Sequence, residues 1–210
     1  MSSGRSRLDI QSEAKFQIFH YNDHFYQYIN QAIDEKDINE EAATKVLKDY
    51  TNDKYIQMNG YLRKGDYSMD YQSGIASIFL LGLPKILYFI NLASIKSLYL
   101  GLQGKIKIKN LTNINEGTIV YRGIKIKPPS SLKVGDQFYL AEFVSTSLDI
   151  NVAKSMGQYI FIITLYGKGF KGVDKLSYYP GEKEVLINAY SKFVITKVDG
   201  NYSYMDCYDD

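Results

Sequence analysis

The spacing of apolar residues changes near the middle of the chain. Two segments of the first half, "EEAATKVLKDYT" (40–51) and "NDKYIQMNGYLRKG" (52–65), repeat apolar residues at helical intervals. Asp37 followed by Glu40 resembles a capping box ahead of the first segment. A more apolar window, residues 75–100, is interrupted at "GLP" and predicts two further helices. The first half is therefore predicted to be mainly helical.

The second half contains short segments that are rich in β-branched and aromatic residues, which is typical of strands. They are "GTIVYRG", "DQFYLAEFVSTS", "QYIFIITLYG", "EKEVLINA" and "SKFVITKV". One helix is predicted among them, "DINVAKSM", with Asp149 as its N-cap, and "VDGNYSYM" predicts a hairpin on an Asp-Gly turn. Helices followed by strands, without regular alternation, predict an α+β fold in which residues 1–112 are mainly helical and residues 113–206 form the β-structure.

Composition narrows the class of protein. The chain has 210 residues, of which 45% are hydrophobic and 23% charged, so a globular domain is expected. A formal net charge of +2 is too small to predict nucleic-acid binding. One cysteine, Cys207, excludes an intramolecular disulfide and favours a reducing compartment. Because the N-terminal residues lack an apolar leader and the window 75–100 is broken by polar residues, we expect a cytoplasmic protein without a membrane span.

Two patterns that can carry chemistry are weak here. His20 and His24 have a spacing that suits one metal, but there is no third histidine, so we predict no metal site. The same scarcity removes most Ser-His and Cys-His arrangements for nucleophilic catalysis. Lysines at alternate positions predict protected edge strands rather than a basic binding stripe. They are Lys105, Lys107 and Lys109 in "GKIKIKN", and Lys125 and Lys127 in "GIKIKPP".

Three further segments allow both a structural and a chemical interpretation. Arg122 in "YRG" is either an arginine at the edge of the core or a guanidinium held for a phosphate. The hydroxyls of "STS" (145–147) either cap the following helix or orient a carboxylate. Glu182 and Glu184 in "SYYPGEKEVLI" either form a solvated lip or lie on one face of a strand that begins near them. Each segment alone leaves both interpretations open.

Their order along the chain resembles the mono-ADP-ribosyltransferases of the arginine–serine–glutamate class. The resemblance extends to "AEFVSTSLDINVAKSM", to "GEKEVLINAYSKFVITKV" and to the upstream helix "YTNDKYIQMNGYLRKG", and it covers about residues 50–198. It implies a helical lobe beside two roughly perpendicular β-sheets, with NAD bound as a substrate in the cleft between the sheets and no metal. The whole chain would then be a single catalytic domain.

The resemblance also implies a role for each motif in NAD binding. Arg122 would hold the NAD phosphates, and the backbone of Gly123 would contact the nicotinamide amide. Ser145 would hold the catalytic Glu184, and Thr146 and Ser147 would complete the serine motif. An aromatic residue that packs on nicotinamide in many members corresponds here to Met156, or alternatively to Tyr159.

The acceptor would be an arginine of another protein. Glu182 would orient its guanidinium and draw off a proton, while Tyr178 and Tyr179 would stack against it. In the family, glutamate at the position of Glu182 accompanies arginine as the acceptor. Hydrolysis of NAD and an inactive binding module are the alternatives, and the intact motifs favour transfer.

Overall fold

The computed structural model describes residues 39–64, 94–128, 130 and 132–209. Helix α1 (Glu40–Asp49) and helix α2 (Tyr55–Lys64) are joined by a π-helical turn, Tyr50–Lys54. Residues 94–102 form helix α3, and Ile150–Met156 form the short helix α4. The helices predicted at 40–51, 52–65 and "DINVAKSM" are thus confirmed, whereas the break at "GLP" and both histidines lie outside the described residues.

The first helix begins two residues later in the sequence than a capping box at Asp37 would place it. Asn39 is the N-cap, and its side-chain oxygen accepts a hydrogen bond from the backbone N–H of Ala42 at 2.9 Å. Glu40 is then the first helical residue, so the prediction that it acts as the third residue of a box is wrong. An asparagine oxygen satisfies one of the free N–H groups of the first turn as well as an aspartate would.

The helices and one face of the β-structure share a hydrophobic core. Leu47, Leu62 and Leu98 are completely buried together with Phe143 and Leu186, which come from the second half of the chain. The part of the apolar window that the structure describes is therefore a buried helix, as predicted. None of the helices among the described residues combines the length and apolar character needed to cross a bilayer.

The β-structure contains nine strands among the described residues. They are β1 (Thr112–Asn113), β2 (Ile119–Ile124), β3 (Gln137–Tyr139), β4 (Val144–Ser147), β5 (Tyr159–Gly167), β6 (Phe170–Gly172), β7 (Glu184–Ile187), β8 (Lys192–Asp199) and β9 (Tyr202–Asp209). Their order is β1-β6-β7-β4-β2-β5-β9-β8-β3, and all paired neighbours are antiparallel except β5 and β9. The α+β prediction is confirmed.

The nine strands fall into two groups, β1-β6-β7-β4 and β2-β5-β9-β8-β3, and a single residue pair joins the two groups. Tyr121 of β2 faces Ser147 of β4, and no other register pair links these strands. Val185 and Ile187 of one group share a second core with Phe161 and residues of β8 and β9 from the other. The described strands are thus hydrogen-bonded into one continuous sheet rather than two separate sheets. The two groups of strands nevertheless enclose a common core.

Two details of the strand prediction are wrong. The segment "DQFYLAEFVSTS" forms two strands, β3 and β4, because residues 140–143 leave the extended ladder between them. The five alternating lysines lie outside the described strands and are exposed. Lys105, Lys107 and Lys109 alternate with Ile106 and Ile108, which pack into the helical core from a loop that follows α3. Ile126, between Lys125 and Lys127, is itself 42% exposed.

Candidate active site

The three motifs that carry the family resemblance lie on three neighbouring strands. Glu184 begins β7, residues 145–147 belong to β4, and Arg122 is on β2; these strands are consecutive in the sheet order. The fold therefore brings together segments that are far apart in the sequence. Arg122, residues 145–147 and Glu184 are buried, and the exposed fraction of Glu184 is 3%.

The serine motif divides between the two faces of β4. Ser147 is directly opposite Glu184 and Ser145 is opposite Leu186, so both serines share the face of Glu184. Thr146 points the other way, and its hydroxyl donates to the backbone oxygen of Val185 at 2.7 Å. Contact between Ser145 and Glu184 stays a prediction, whereas the side chain of Thr146 is engaged in joining β4 to β7.

Glu182 does not continue the strand of Glu184. It ends a 3₁₀ turn, Pro180–Glu182, and Lys183 then adopts a left-handed conformation with φ of 47°. The alternation expected to carry both glutamates on one strand face is therefore wrong, because a left-handed residue interrupts the extended backbone. The bend predicted at Pro180 is confirmed.

Ser147 fixes the position of this turn. Its hydroxyl donates to the backbone oxygen of Glu182 at 2.7 Å and accepts from the backbone N–H of Asp149 at 2.9 Å. One hydroxyl thus connects the turn before β7 with the start of α4. The structural interpretation of the serine motif holds for this residue, since its hydroxyl supports the start of the helix. The hydroxyl binds the backbone of Glu182 and not a carboxylate, so orientation of a carboxylate by the motif stays a prediction.

The Lys183 side chain adds a second link between the same two segments. Its Nζ lies 3.1 Å from Oδ2 of Asp149, whose Oδ1 caps α4 by accepting from the N–H of Asn151 at 3.0 Å. That backbone hydrogen bond, followed by the bond to Lys183, holds the pKa of Asp149 below its ordinary value. The predicted N-cap is confirmed, and the link to Lys183 was not foreseen.

Arg122 belongs to an ionic cluster that the sequence did not reveal. Its Nη2 lies 3.0 Å from Oε1 of Glu142, and the other carboxylate oxygen of Glu142 accepts from Nη1 of Arg63 on α2. The Nη1 of Arg122 is buried and donates to no acceptor among the described residues. Two guanidiniums with an unused buried donor form an arrangement that suits a diphosphate. The sequence feature that could have indicated this ionic cluster is Glu142, a charged residue within the apolar segment "YLAEFV".

Gly123 is required for the packing of α4 on β2. A β-carbon at this position would lie 1.8 Å from the backbone oxygen of Ala153 in α4. A β-carbon on Gly157, which follows α4, would lie 2.3 Å from the carbonyl carbon of Ile124. The two glycines let α4 rest directly on β2. A contact of the Gly123 backbone with nicotinamide stays a prediction.

The remaining predicted site residues lie at the edges of this arrangement. Met156, the last residue of α4, is half-buried, and Tyr159 opens β5 and packs against the second core. Tyr178 and Tyr179 are 52% and 48% exposed just before the Pro180 turn, and Lys48 of α1 lies over the ring of Tyr178 at 5.6 Å. Exposed aromatic rings beside Glu182 suit recognition of a cationic group on another molecule.

The described residues contain no group of histidine, cysteine, aspartate or glutamate side chains that could hold a metal ion. His20 and His24 lie outside these residues. The candidate site contains carboxylates, hydroxyls and guanidiniums.

Curated relatives match part of the chain. Ecto-ADP-ribosyltransferase 5 of Bos taurus is 38% identical over 88 residues, which cover 41% of this chain and 28% of that protein. The protein of the same name from Rattus norvegicus is 33% identical over 82 residues, covering 38% and 26%. The matched part thus spans about a quarter of the length of these relatives.

These relatives are named as ecto-enzymes, and they contradict the cytoplasmic location expected from the sequence. That prediction is wrong, and the argument from the single cysteine was weak for a physical reason. The Cys207 side chain is completely buried, and burial raises the pKa of its thiol well above the ordinary value. A thiol that is shielded in this way does not report on the redox state of its surroundings.

Solved structures match the fold. Exoenzyme S from Pseudomonas aeruginosa, bound to carba-NAD, superposes with a TM-score of 0.54 at 18% identity and covers 89% of this chain and 82% of that one. The ADP-ribosyltransferase Vis, in complex with agmatine, gives a TM-score of 0.55 at 20% identity over 91% and 86% of the two chains. At these identities the likeness establishes the ADP-ribosyltransferase fold.

A comparison with protein families matches residues 96–207 to the family described as NAD:arginine ADP-ribosyltransferase. The match includes β2, β4 and β7 and therefore all three motifs of the candidate site. It covers more than half of the chain and agrees with the resemblance of "YRG", "STS" and "EKE". The chain belongs to the NAD:arginine ADP-ribosyltransferase family.

Proposed function

We propose that the chain transfers ADP-ribose from NAD to arginine side chains of proteins and releases nicotinamide. The observation that carries the proposal is the placement of Glu184, the serine motif and Arg122 on consecutive strands, with Glu184 buried opposite Ser147. Family membership supports the same activity. The agmatine complex of Vis supports a guanidino acceptor.

NAD binding is assigned to the cluster around Arg122. The guanidiniums of Arg122 and Arg63 would bind the diphosphate, to which each can donate two hydrogen bonds in parallel. The buried Nη1 of Arg122, which no described acceptor satisfies, supports this assignment because a ligand oxygen would satisfy it. Gly123, Ser145 and Met156 are proposed to contact the nicotinamide ribose end. Thr146 would contribute through the strand pairing that it stabilises.

Glu184 is proposed to assist cleavage of the glycosidic bond. The bond between ribose and nicotinamide breaks, and nicotinamide leaves with the bonding electron pair. Positive charge then develops on the ribose, where a buried carboxylate that accepts a hydrogen bond from the 2′-hydroxyl stabilises it. Glu184 is suited to this role because its buried position on β7 is fixed by the pairing with β4.

Glu182 is proposed to act on the acceptor. An arginine guanidinium is protonated near neutrality, so its nitrogen attacks the ribose only if a base takes up a proton as the new carbon–nitrogen bond forms. The half-buried Glu182 precedes Glu184 by two residues and lies beside the exposed rings of Tyr178 and Tyr179. These three residues would receive the acceptor from solvent.

A single catalytic domain is part of the proposal. Helices α1, α2 and α3 end before Thr112, where the strands begin, which agrees with a helical portion up to about residue 112. Phe143 and Leu186 of the β-structure share a core with α1, α2 and α3, and this shared core supports one folding unit.

The test is an incubation of the protein with labelled NAD and agmatine, followed by measurement of labelled agmatine and of free nicotinamide. We expect Glu184→Gln to abolish both products, because ribose charge is no longer stabilised. Glu182→Gln should lose transfer and retain NAD hydrolysis, since water needs no help from that residue to lose its proton. Glu116→Gln, at an exposed turn, is the matched control and should change neither rate.

The outcomes separate the alternatives. Nicotinamide release that does not depend on agmatine, with no labelled agmatine, would identify an NAD glycohydrolase instead. Absence of NAD turnover with any acceptor would contradict the proposal and leave a binding module.

A further inference from the structure

Glu142, to which the family resemblance assigned no role, contacts both arginines of the candidate site, and the role inferred for it rests on the proposed function. Only 9% of the Glu142 side chain is exposed, and each of its two oxygens accepts from a different arginine. Oε1 binds Nη2 of Arg122 at 3.0 Å, and Oε2 binds Nη1 of Arg63. One buried carboxylate is therefore shared by two guanidiniums.

The two arginines come from different parts of the fold. Arg63 is near the end of α2 and Arg122 is on β2, so neither element by itself sets the distance between them. Like charges repel each other at short range, and a long arginine side chain has many rotamers. The Arg63 side chain, 23% exposed, has room to turn toward solvent. A carboxylate between the two guanidiniums offsets their repulsion and fixes both side chains.

The backbone at Glu142 is itself held by α2. The side-chain amide of Asn59 binds both the N–H and the carbonyl oxygen of Phe143, the next residue. Asn59 and Arg63 are four residues apart and lie on the same side of α2. One face of α2 thus binds two consecutive residues of the segment between β3 and β4, Phe143 through its backbone and Glu142 through its carboxylate.

We propose that Glu142 is a positioning residue that holds Arg63 and Arg122 side by side for the diphosphate of NAD. Charge alone predicts the opposite effect, because Glu142 reduces the positive potential around the bound phosphates. The sign of a change in affinity therefore distinguishes positioning from simple electrostatics. Positioning requires that removal of the carboxylate weaken diphosphate binding.

The first test measures NAD turnover and ligand binding by Glu142→Gln, which keeps the size of the side chain and removes its charge. We expect kcat/KM for NAD to fall about tenfold, mainly through KM. Isothermal titration with ADP-ribose should show a similar loss of affinity, whereas adenosine, which has no phosphate, should bind equally to both proteins. Glu116→Gln is the control. A variant that has partly unfolded would show reduced stoichiometry rather than reduced affinity.

The second test is a double-mutant cycle with Arg63→Met. If Glu142 acts through Arg63, adding Glu142→Gln to Arg63→Met should weaken ADP-ribose binding much less than it does in the wild type. Unchanged or tighter binding of ADP-ribose by Glu142→Gln would overturn the proposal, as would full additivity of the two substitutions. Failure of the proposed function is separate, because it would appear as a wild-type protein that binds ADP-ribose without turning over NAD.

Discussion

The side-chain amide of Asn59 pairs with the backbone of Phe143 as a neighbouring strand would. Oδ1 accepts from the Phe143 N–H at 3.1 Å and Nδ2 donates to the Phe143 carbonyl oxygen at 3.2 Å. Both residues are buried, and the hydroxyl of Tyr50 donates to the same carbonyl at 3.1 Å. The pair satisfies backbone groups in the break between β3 and β4 and fastens the helices to the site.

Asn59→Ala should be strongly destabilising. Loss of the amide leaves the buried N–H of Phe143 without its acceptor, which costs about 2 kcal/mol. For a chain of this size the melting temperature should fall by roughly 4–8 °C, as measured by circular dichroism. Asn52→Ala, at an exposed position of the adjoining π-helical turn, should leave it nearly unchanged. Equal melting temperatures for both variants would show that the Asn59 pair contributes nothing to stability.

The sequence predicted those elements whose pattern is local. Apolar spacing located α1 and α2, and β-branched runs located β2, β5 and β8 to within a few residues. The order of three short motifs was sufficient to identify the residues that the strands β7, β4 and β2 bring together.

Contacts between distant segments could not be predicted in the same way. The Glu142 carboxylate meets arginines 79 and 20 positions away, and nothing in the spacing of these residues indicates it. The left-handed conformation of Lys183 was also unforeseen, because lysine has no preference for it and tertiary contacts impose it. Glu182 was consequently assigned to the wrong element, although its place near Glu184 was correct.

Two glycine substitutions of the same kind should have opposite effects. Gly123→Ala forces a β-carbon against the backbone oxygen of Ala153, and backbone cannot move aside as a side chain can. We expect a loss of about 3 kcal/mol, with α4 displaced from β2. Gly60→Ala in α2 meets nothing within 4 Å and should stabilise the helix by about 0.5–1 kcal/mol. Urea denaturation of both variants gives the comparison, and a Gly123→Ala protein of normal stability would refute the close packing of α4.

Ser147→Ala should affect transfer more than hydrolysis. The lost hydroxyl binds the backbone oxygen of Glu182 and the N–H of Asp149, so its removal loosens the turn that carries Glu182. Transfer to agmatine should fall roughly tenfold because small misplacement of a catalytic group is costly. NAD hydrolysis should fall less, since Glu184 remains on its strand. Ser155→Ala, on the exposed side of α4, is the matched control, and an equal loss of both activities would argue against this role of Ser147.

The link between Asp149 and Lys183 should make stability depend on pH in acid. The N–H of Asn151 and the Lys183 ammonium lower the pKa of Asp149 in the folded protein below its ordinary value of 3.8. The stabilisation is therefore present above that value and is lost as the pH falls through the folded-state pKa. Asp149→Asn, which keeps a capping oxygen but not the charge, should melt below the wild type near pH 7.

The pH dependence of that difference is the decisive measurement. Melting curves of the wild type and Asp149→Asn should converge between about pH 4 and pH 2, because the wild-type carboxylate becomes protonated over this range while Lys183 keeps its charge. Lys183→Met removes the partner and leaves the N-cap bond to Asn151 intact. It should therefore reproduce part of the difference near pH 7 and also converge with the wild type in acid. A gap between wild type and Asp149→Asn that stays constant to pH 2 would mean that the charge of Asp149 does not stabilise the junction of α4 with the glutamate turn.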